Sequence, residues 1–355
     1  MNNGTPSTLR LAVPSKGALE KPTLDLLAAS GLRVSRPNER QYVGSIPALP
    51  HVTVLFQRAA DIFTKVQEGS VDLGITGYDV VREDGEGHAD VLVVYGKLGF
   101  GKCELVLAVP DSWVDISSME DLADLTLYFK EKGRDLRIVT KYSNLTRNFL
   151  YNRRVIHFSL VEAKGALEAA PSMGYADMIA DVTSTGTTLR ENRLKQISGG
   201  TILSSQACLI GNKRLLQDPG KLHLTRLILE SIEAHLEAKK YASITANIRG
   251  QSAEDVTHCL VNQPELLQLA GLRGPTVAKV YARDDAQWYA VTIIVKQHDL
   301  LRAVDHLRQA GGTDIAVFSP DYIFGAQSDT FQQLLTTLNS DSSHPASRSL
   351  LSLPR

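Results

Sequence analysis

The chain has 355 residues, a formal net charge of −1, 43% hydrophobic residues and three cysteines. That length suits two or three domains with sizeable cores, and near-neutral charge excludes a general nucleic-acid binder, which needs a basic field. Cys103, Cys208 and Cys259 stand far apart with no C-x-x-C pair. This argues against a disulfide framework or a zinc knuckle, and buried, reduced thiols are the plain reading. The stretch "MNNGTPSTLRLAVPSKG" has no long apolar run and no basic leader, and no segment reaches membrane-spanning length without charges. A soluble, cytoplasmic protein without a membrane partner is expected.

The first half alternates strand-like and helix-like pieces. "LRLAVPS" is a short apolar strand, followed by the helix "EKPTLDLLAASG" with Gly31 as its stop. "VTVLFQ" is a second strand, "AADIFTKVQEG" a helix ended by Gly69, and "VDLGITG" a third strand. Such alternation predicts a mostly parallel, doubly wound sheet, whose ligands sit beyond the carboxyl ends of the strands. Lys16, Arg58 and Thr76 fall at such ends. "KCELVLAVP" reads as a strand leaving this domain; "LRIVTKY", "VIHFSLVEA", "ADMIADV" and "SSQACLIGN" are further strands, with helices such as "KGALEAAPSMG" between them. The charged piece "KEKGRD" at 130–135 reads as a surface loop.

In "KLHLTRLILESIEAHLEAKKY", Leu224, Leu227, Ile228, Ile232 and Leu236 recur at helical spacing, which makes one amphipathic helix. Beyond it the order becomes β-α-β-β-α-β, the ferredoxin-like pattern, over enough residues for a small domain. The end of the chain, "NSDSSHPASRSLLSLPR", is Ser-rich and expected to be disordered.

One stretch carries chemistry, "ADMIADVTSTGTTLREN" at 176–192. A strand running into a Ser/Thr/Gly loop and then a helix points several backbone N–H groups one way. The hydroxyls of Thr183, Ser184, Thr185, Thr187 and Thr188 add donors, and Gly186 lets the backbone approach a ligand. This is a phosphate cradle without a lysine; the same residues also make an ordinary Ser/Thr-rich turn with an N-cap. Asp177 and Asp181 are four apart and share a face if the segment is a strand. Asp181, beside the loop, could accept from ribose hydroxyls or help hold a cation; the alternative is a solvated edge and a helix cap. Lys16, Arg40 and Arg58 are each an ordinary surface charge, yet together they could neutralise a polyphosphate. "GFGKCE" imitates the start of a dinucleotide fingerprint but lacks its third glycine and precedes a strand. No His/Cys/Glu cluster has metal-ligand spacing and no G-x-S-x-G elbow occurs.

The 176–192 stretch resembles the phosphoribosyl-pyrophosphate loop of ATP phosphoribosyltransferase. "LRLAVPSKG", "VDLGITGYDVVRE", "LGFGKCELVLAVP", "KGALEAAP" and "SSQACLI" resemble further blocks of that family in the family's order. The tail resembles the regulatory domain of its long, hexameric form. The resemblance implies an α/β fold: a two-lobed core like type II periplasmic binding proteins and a C-terminal ferredoxin-like, ACT-like domain. It implies lobe I at 1–104 and 205–240, lobe II at 105–204, the regulatory domain at 241–325 and a disordered tail at 326–355. The implied reaction joins ATP to phosphoribosyl pyrophosphate as the first step of histidine biosynthesis, with Mg2+ as cofactor and histidine as feedback effector.

By the same resemblance, residues 181–188 hold the 5-phosphate, and Glu168, Asp177 and Asp181 sit close to the ribose. Lys16, Gly17, Arg40, Arg58, Asp72, Thr76 and Gly77 line the nucleotide cleft, and Thr276 belongs to the effector pocket. One departure stands out: "KGAL" has Ala18 where the family often has arginine, and Lys21 or Arg40 is a substitute. The competing readings are a prephenate dehydratase, which has no need of a phosphate cradle, and a non-catalytic solute-binding protein, which usually carries an export signal.

Overall fold

The structure, a computed structural model, describes residues 7–38, 40–163, 165, 167–261, 272, 274–281 and 286–340. Its amino-terminal part alternates β1 (Leu9–Pro14), α1 (Glu20–Ala29), β2 (Val43–Ile46), β3 (Leu49–Gln57), α2 (Ala59–Gln67), β4 (Leu73–Gly77), α3 (Tyr78–Asp84) and β5 (Val91–Tyr95). Gly31 and Gly69 adopt positive φ just past α1 and α2, where the sequence places the helix stops. The chain continues through β6 (Cys103–Pro110), α4 (Met119–Glu131), β7 (Leu136–Thr140), α5 (Ser143–Asn152), β8 (Phe158–Glu162), α6 (Ala170–Met173), β9 (Met178–Thr183), α7 (Thr187–Glu191), β10 (Leu194–Ser205) and β11 (Ala207–Asn212).

These strands form two sheets, ordered β2-β3-β1-β4-β11-β5 and β10-β6-β9-β7-β8. Both are mixed rather than mostly parallel. In the first sheet β1, β3, β4 and β5 run one way, while β2 and β11 run against them. In the second, β7, β8, β9 and β10 agree and β6 opposes them. The continuous apolar run of β1 is buried on both faces. In α2 the apolar spacing puts Ile62, Phe63 and Val66 into one core with Ala12 and Ile210. In the second sheet Leu107, Ile138 and Met178 pack against Leu122 of α4 and Leu150 of α5.

Three local expectations are corrected. "SSQACLIGN" is not one strand: β10 and β11 belong to different sheets and meet at Gln206, a change of partner that apolar patterning cannot reveal. "KEKGRD" is not a loop throughout, because Lys130 and Glu131 complete α4 and Gly133 ends it at positive φ. "KGALEAAPSMG" is a single 3-10 turn, Leu167–Ala169, followed by the four-residue α6; its Lys164 and Ala166 lie outside the described residues.

The helix α8 (Pro219–Ala238) buries Leu224, Ile228 and Ile232, the expected apolar face. After it come β12 (Tyr241–Arg249), α9 (Ala253–Val261), β13 (Thr276–Val280), β14 (Trp288–Lys296), α10 (Leu300–Gln309) and β15 (Thr313–Phe318). The four strands are antiparallel in the order β13-β14-β12-β15, the ferredoxin-like arrangement. Strict alternation of burial along β12 and β14 puts Ile244, Val291 and Val295 against Leu260 and Leu307. The expectation of a disordered tail from 326 is corrected over α11 (Asp329–Ser340), where Leu334 and Leu338 are buried four residues apart on one helix face. Residues 341–355 of that expectation lie outside the described residues. The chain divides into two compact units, one containing Val34–Thr225 and the other containing Leu26–Arg33 and Arg226–Gln333.

The amino ends of the strands carry structural ion pairs. Asp72, fully buried just before β4, accepts from the Arg10 backbone N–H at 2.7 Å and from Lys221 Nζ at 2.7 Å, with Arg10 Nε at 3.3 Å. Removing the carboxylate leaves two cations without their partner. Asp72→Ala should therefore lower unfolding stability by about 3 kcal/mol, the low end for breaking a buried pair because Arg10 is partly solvated. Urea unfolding followed by circular dichroism checks this; a midpoint equal to the parent would show that the pairs contribute nothing.

Candidate active site

Exposed cations stand at the carboxyl ends of the parallel strands of the first sheet. Pro14 of β1 lies beside Gln57 of β3. Lys16 and Arg58 therefore leave neighbouring strands at one edge, and both are exposed. Gly17 turns the chain there at φ +83° before α1. Arg40 is exposed in the turn before β2, its backbone N–H donating to Asn38 Oδ1 at 2.9 Å.

Thr76 and Asp72 differ from their expected cleft positions. Thr76 is fully buried inside β4, and its hydroxyl donates to the Ala59 carbonyl at 2.7 Å, fastening α2 to the sheet. Asp72 lies at the opposite end of β4, held by Arg10 and Lys221. Gly77 does reach the carboxyl edge, where its backbone meets Asp79 so closely that a Cβ would run into the Asp79 carboxylate. Lys21, offered as a substitute for the missing arginine, pairs instead with Asp25 one turn along α1.

In the second sheet the loop after β9 folds on its own hydroxyls. Gly186 takes φ +69°, its N–H donates to Thr183 Oγ1 at 2.9 Å, and Thr185 Oγ1 lies 3.0 Å from Thr187 Oγ1. Arg190 Nη2 donates to Thr187 Oγ1 at 3.3 Å. Ser184, Thr185, Thr187 and Thr188 are exposed. The helix that follows, α7, has only five residues, so the donors of this loop are its amides and hydroxyls rather than a long helix dipole.

Asp181 and Asp177 part company. Asp181 is buried near the carboxyl end of β9 and accepts from the Val182 N–H at 2.8 Å. Burial pushes its carboxyl up, Lys141 opposes the shift, and Glu168 and Asp79 add to it. Glu168, half-buried in the 3-10 turn, thus belongs to the same electrostatic neighbourhood. Asp177 precedes β9, roughly 13 Å away along an extended strand. It accepts from the Arg137 backbone N–H at 2.8 Å and pairs with Arg134 and Arg137, both at 3.1 Å. Burial alone would raise its carboxyl, but these two guanidinium groups hold it below the usual carboxylate range. Its partners are those of a staple, and the expectation that it stands with Asp181 is corrected.

The sequence reading missed the residues between the two sheets. Asp79, buried in α3, accepts from Tyr142 Oη at 2.6 Å and from Ser205 Oγ at 2.7 Å. Burial, then the Asp79 charge, keep the Tyr142 phenol protonated well above its ordinary range. Lys141 follows β7 directly, beside Asp181 by the register that pairs Thr140 with Ala180. Asp79 and Lys141 could have been found by the rule that selected Lys16, since each comes just past a strand; Ser205 gives no such signal. Thr276 is exposed at the start of β13, opposite Thr292.

A set of three or more His, Cys, Asp or Glu side chains placed to hold a metal does not occur among the described residues. The carboxylates beside the loop, Asp181 and Glu168, suit a hard divalent cation that takes most of its oxygen ligands from a bound polyphosphate. No helix among the described residues is long and apolar enough to cross a membrane.

Residues 58–234 match the family described as ATP phosphoribosyltransferase, and residues 238–320 match the one described as HisG, C-terminal domain. The chain is 42% identical over 337 residues to ATP phosphoribosyltransferase 2, chloroplastic, of Arabidopsis thaliana, covering 93% of this chain and 80% of that protein. It is 34% identical over 336 residues to ATP phosphoribosyltransferase of Bradyrhizobium sp. (strain ORS 278), covering 94% and 99%. Among solved structures, the ATP phosphoribosyl transferase (HisG:HisZ) complex from Thermotoga maritima aligns with a TM-score of 0.50 at 24% identity, over 64% of this chain and 96% of that one. This last likeness speaks for the fold alone.

The thiols make one outcome specific. Cys208 is fully buried, and burial pushes its thiol up; Cys103 is half-buried and raised first by burial, then by Asp79. Cys259 is exposed. Titration of the native protein with Ellman's reagent should give one fast equivalent, lost in Cys259→Ser. Two fast thiols, or none, would contradict the burial pattern.

Proposed function

Because the chain belongs to the ATP phosphoribosyltransferase family, whose members are transferases of histidine biosynthesis, we propose that its two sheets hold the two substrates of that reaction. In it N1 of the ATP adenine forms a bond to C1 of the ribose of phosphoribosyl pyrophosphate. The bond from C1 to oxygen breaks, and pyrophosphate leaves with the electron pair.

The observation that carries the reading is the loop at 183–188, where exposed hydroxyls and a left-handed glycine follow the strand that ends beside Asp181. These donors suit the 5-phosphate. Glu168 and Asp181 face an electron-poor ribose carbon with carboxylates, which stabilise positive charge developing at C1. Lys16 and Arg58 leave adjacent strands of the first sheet and suit the ATP phosphates, with Gly17, Arg40 and Gly77 around them. Phosphoribosyltransferases generally use a divalent metal. Mg2+ fits here: Asp181 and Glu168 would hold it beside the substrate phosphates, and it would supply positive charge against the departing pyrophosphate. The protein's own part is to align the substrates and to hold back water.

The ferredoxin-like domain suits a sensor for histidine, with the Thr276 end of β13 as the effector position, in a homo-hexamer whose subunits rearrange on binding. Both substrates are water-borne polyanions, so the reaction belongs to an aqueous compartment. The cytoplasm is the expected one, and the chloroplastic relatives make the plastid the alternative that cell fractionation separates.

Two measurements test the reading. Pyrophosphate release should require ATP and phosphoribosyl pyrophosphate together; release from either alone, or none from the two together, would remove the assignment. Thr185→Ala and Thr188→Ala each delete a hydroxyl donor to a charged group, worth about 1.5–3 kcal/mol, so calorimetry should show phosphoribosyl pyrophosphate binding weakened roughly tenfold or more. Histidine calorimetry on the parent and on Thr276→Ala tests the sensor, and the absence of heat in the parent would leave the domain structural.

A further inference from the structure

The helix α5 has no cap of its own. Tyr142 occupies its N-cap position, and that side chain makes no capping hydrogen bond. The first free N–H groups of the helix are satisfied from the other sheet's side of the molecule. Asn144 N and Leu145 N donate to the two carboxylate oxygens of Glu83, in α3, at 2.8 and 3.0 Å. The Asn144 side chain returns a bond to the Glu83 carbonyl at 3.1 Å. A carboxylate at a helix N-terminus also gains from the helix dipole. Asp84 on α3 and Arg147 on α5 are the charged neighbours of Glu83. One turn earlier on α3, Asp79 accepts from Tyr142 Oη, and it also accepts from Ser205 at the end of the crossing strand β10.

We propose that Asp79 and Glu83 form a clamp from α3 onto the β7–α5 junction, and that they act as positioning residues for the transfer reaction. The geometry gives the route. Tyr142 and Lys141 continue β7, β7 pairs with β9, and β9 ends at Asp181 and the hydroxyl loop. Whatever fixes the end of β7 against α3 therefore fixes the phosphate loop against the carboxyl ends of β1, β3 and β4. Two substrates bound on different sheets react only when their atoms meet within a fraction of an ångström of the productive geometry. The loop at 183–188 is held by its own hydroxyl bonds and shares none with the clamp, so loss of the clamp separates alignment from binding. The inference rests on the transferase reading above and extends it.

The experiment uses the full chain with Glu83→Gln, Tyr142→Phe and their combination. Melting temperature, turnover with both substrates, and the dissociation constant of phosphoribosyl pyrophosphate alone are measured for each. The expected result is kcat lowered roughly tenfold to a hundredfold in the single variants, with the dissociation constant within about twofold of the parent, since loop 183–188 is intact. Glu83→Asp, which keeps the charge, should recover part of the loss. Unchanged kcat in folded variants overturns the proposal, and so does a dissociation constant that weakens as much as kcat falls. Should Glu83→Gln fail to fold, Ser205→Ala and Tyr142→Phe carry the same comparison. Amide hydrogen exchange at Asn144 and Leu145 reads the clamp without any turnover. Faster exchange in Glu83→Gln supports it and unchanged exchange overturns it. A parent that exchanges slowly there yet releases no pyrophosphate sinks the transferase reading instead.

Discussion

A buried carboxylate must be supplied with donors, and Asp79, on α3 beside the first sheet, takes two hydroxyl donors from the second. Tyr142 comes just past the carboxyl end of β7, and Ser205 from the end of β10, the strand of the same sheet that carries the chain back to the first. Tyr142 and Ser205 are neutral hydroxyl donors, and after burial Glu168 and Asp79 both push the neighbouring Asp181 carboxyl up. Gly77 lies against that carboxylate at the end of β4, and any larger residue there would displace it. The Tyr78 N–H donates to the Gln206 carbonyl at 2.9 Å, which locks α3 to the crossover. The placing of Asp181, of the hydroxyl loop and of the cations at the first sheet's edge all depends on this junction keeping its shape.

The two ends of the strands use aspartate for opposite purposes. At the amino ends Asp72 and Asp177 are matched by fixed cations, Arg10 and Lys221 for one, Arg134 and Arg137 for the other. Such pairs are satisfied in the protein alone. At the carboxyl ends Asp79 and Asp181 have hydroxyls, an amide and one nearby lysine, but no matched ion pair among the described contacts. The division follows from topology, because parallel strands bring all of their carboxyl ends to one side.

That division explains what could be read from the residues and what could not. Leu224, Ile228 and Ile232 announce α8 because burial on one face imposes the helical period on sequence. The β-α-β-β-α-β order after it follows from alternating burial in β12 and β14. The hydroxyl loop was legible because its composition is unusual and local. Asp177 misled because a strand places residues four apart on one face but says nothing of the distance along it, and only the structure shows Arg134 arriving from the end of α4. Thr76 misled because adjacency to a strand end does not tell which way a hydroxyl turns. Ser205 and Glu83 act through partners 126 and about 60 positions away, and no local period or motif encodes a contact of that range. The switch at Gln206 was hidden for the same reason, since "SSQACLIGN" reads as one apolar strand whichever sheet accepts it.

The chemistry follows from what the site lacks as much as from what it holds. A glycosyl transfer through an oxocarbenium-like centre needs no activated protein nucleophile, and two candidates among the described residues are suppressed: Tyr142 is held as a neutral phenol, and Cys103 has its thiol pushed up by burial and then by Asp79. Burial first, and then the Asp79 carboxylate, suppress these two groups as nucleophiles. Asp79 also joins the two sheets together with Glu83, so the suppression of stray nucleophiles and the alignment of the sheets share the contacts of one carboxylate.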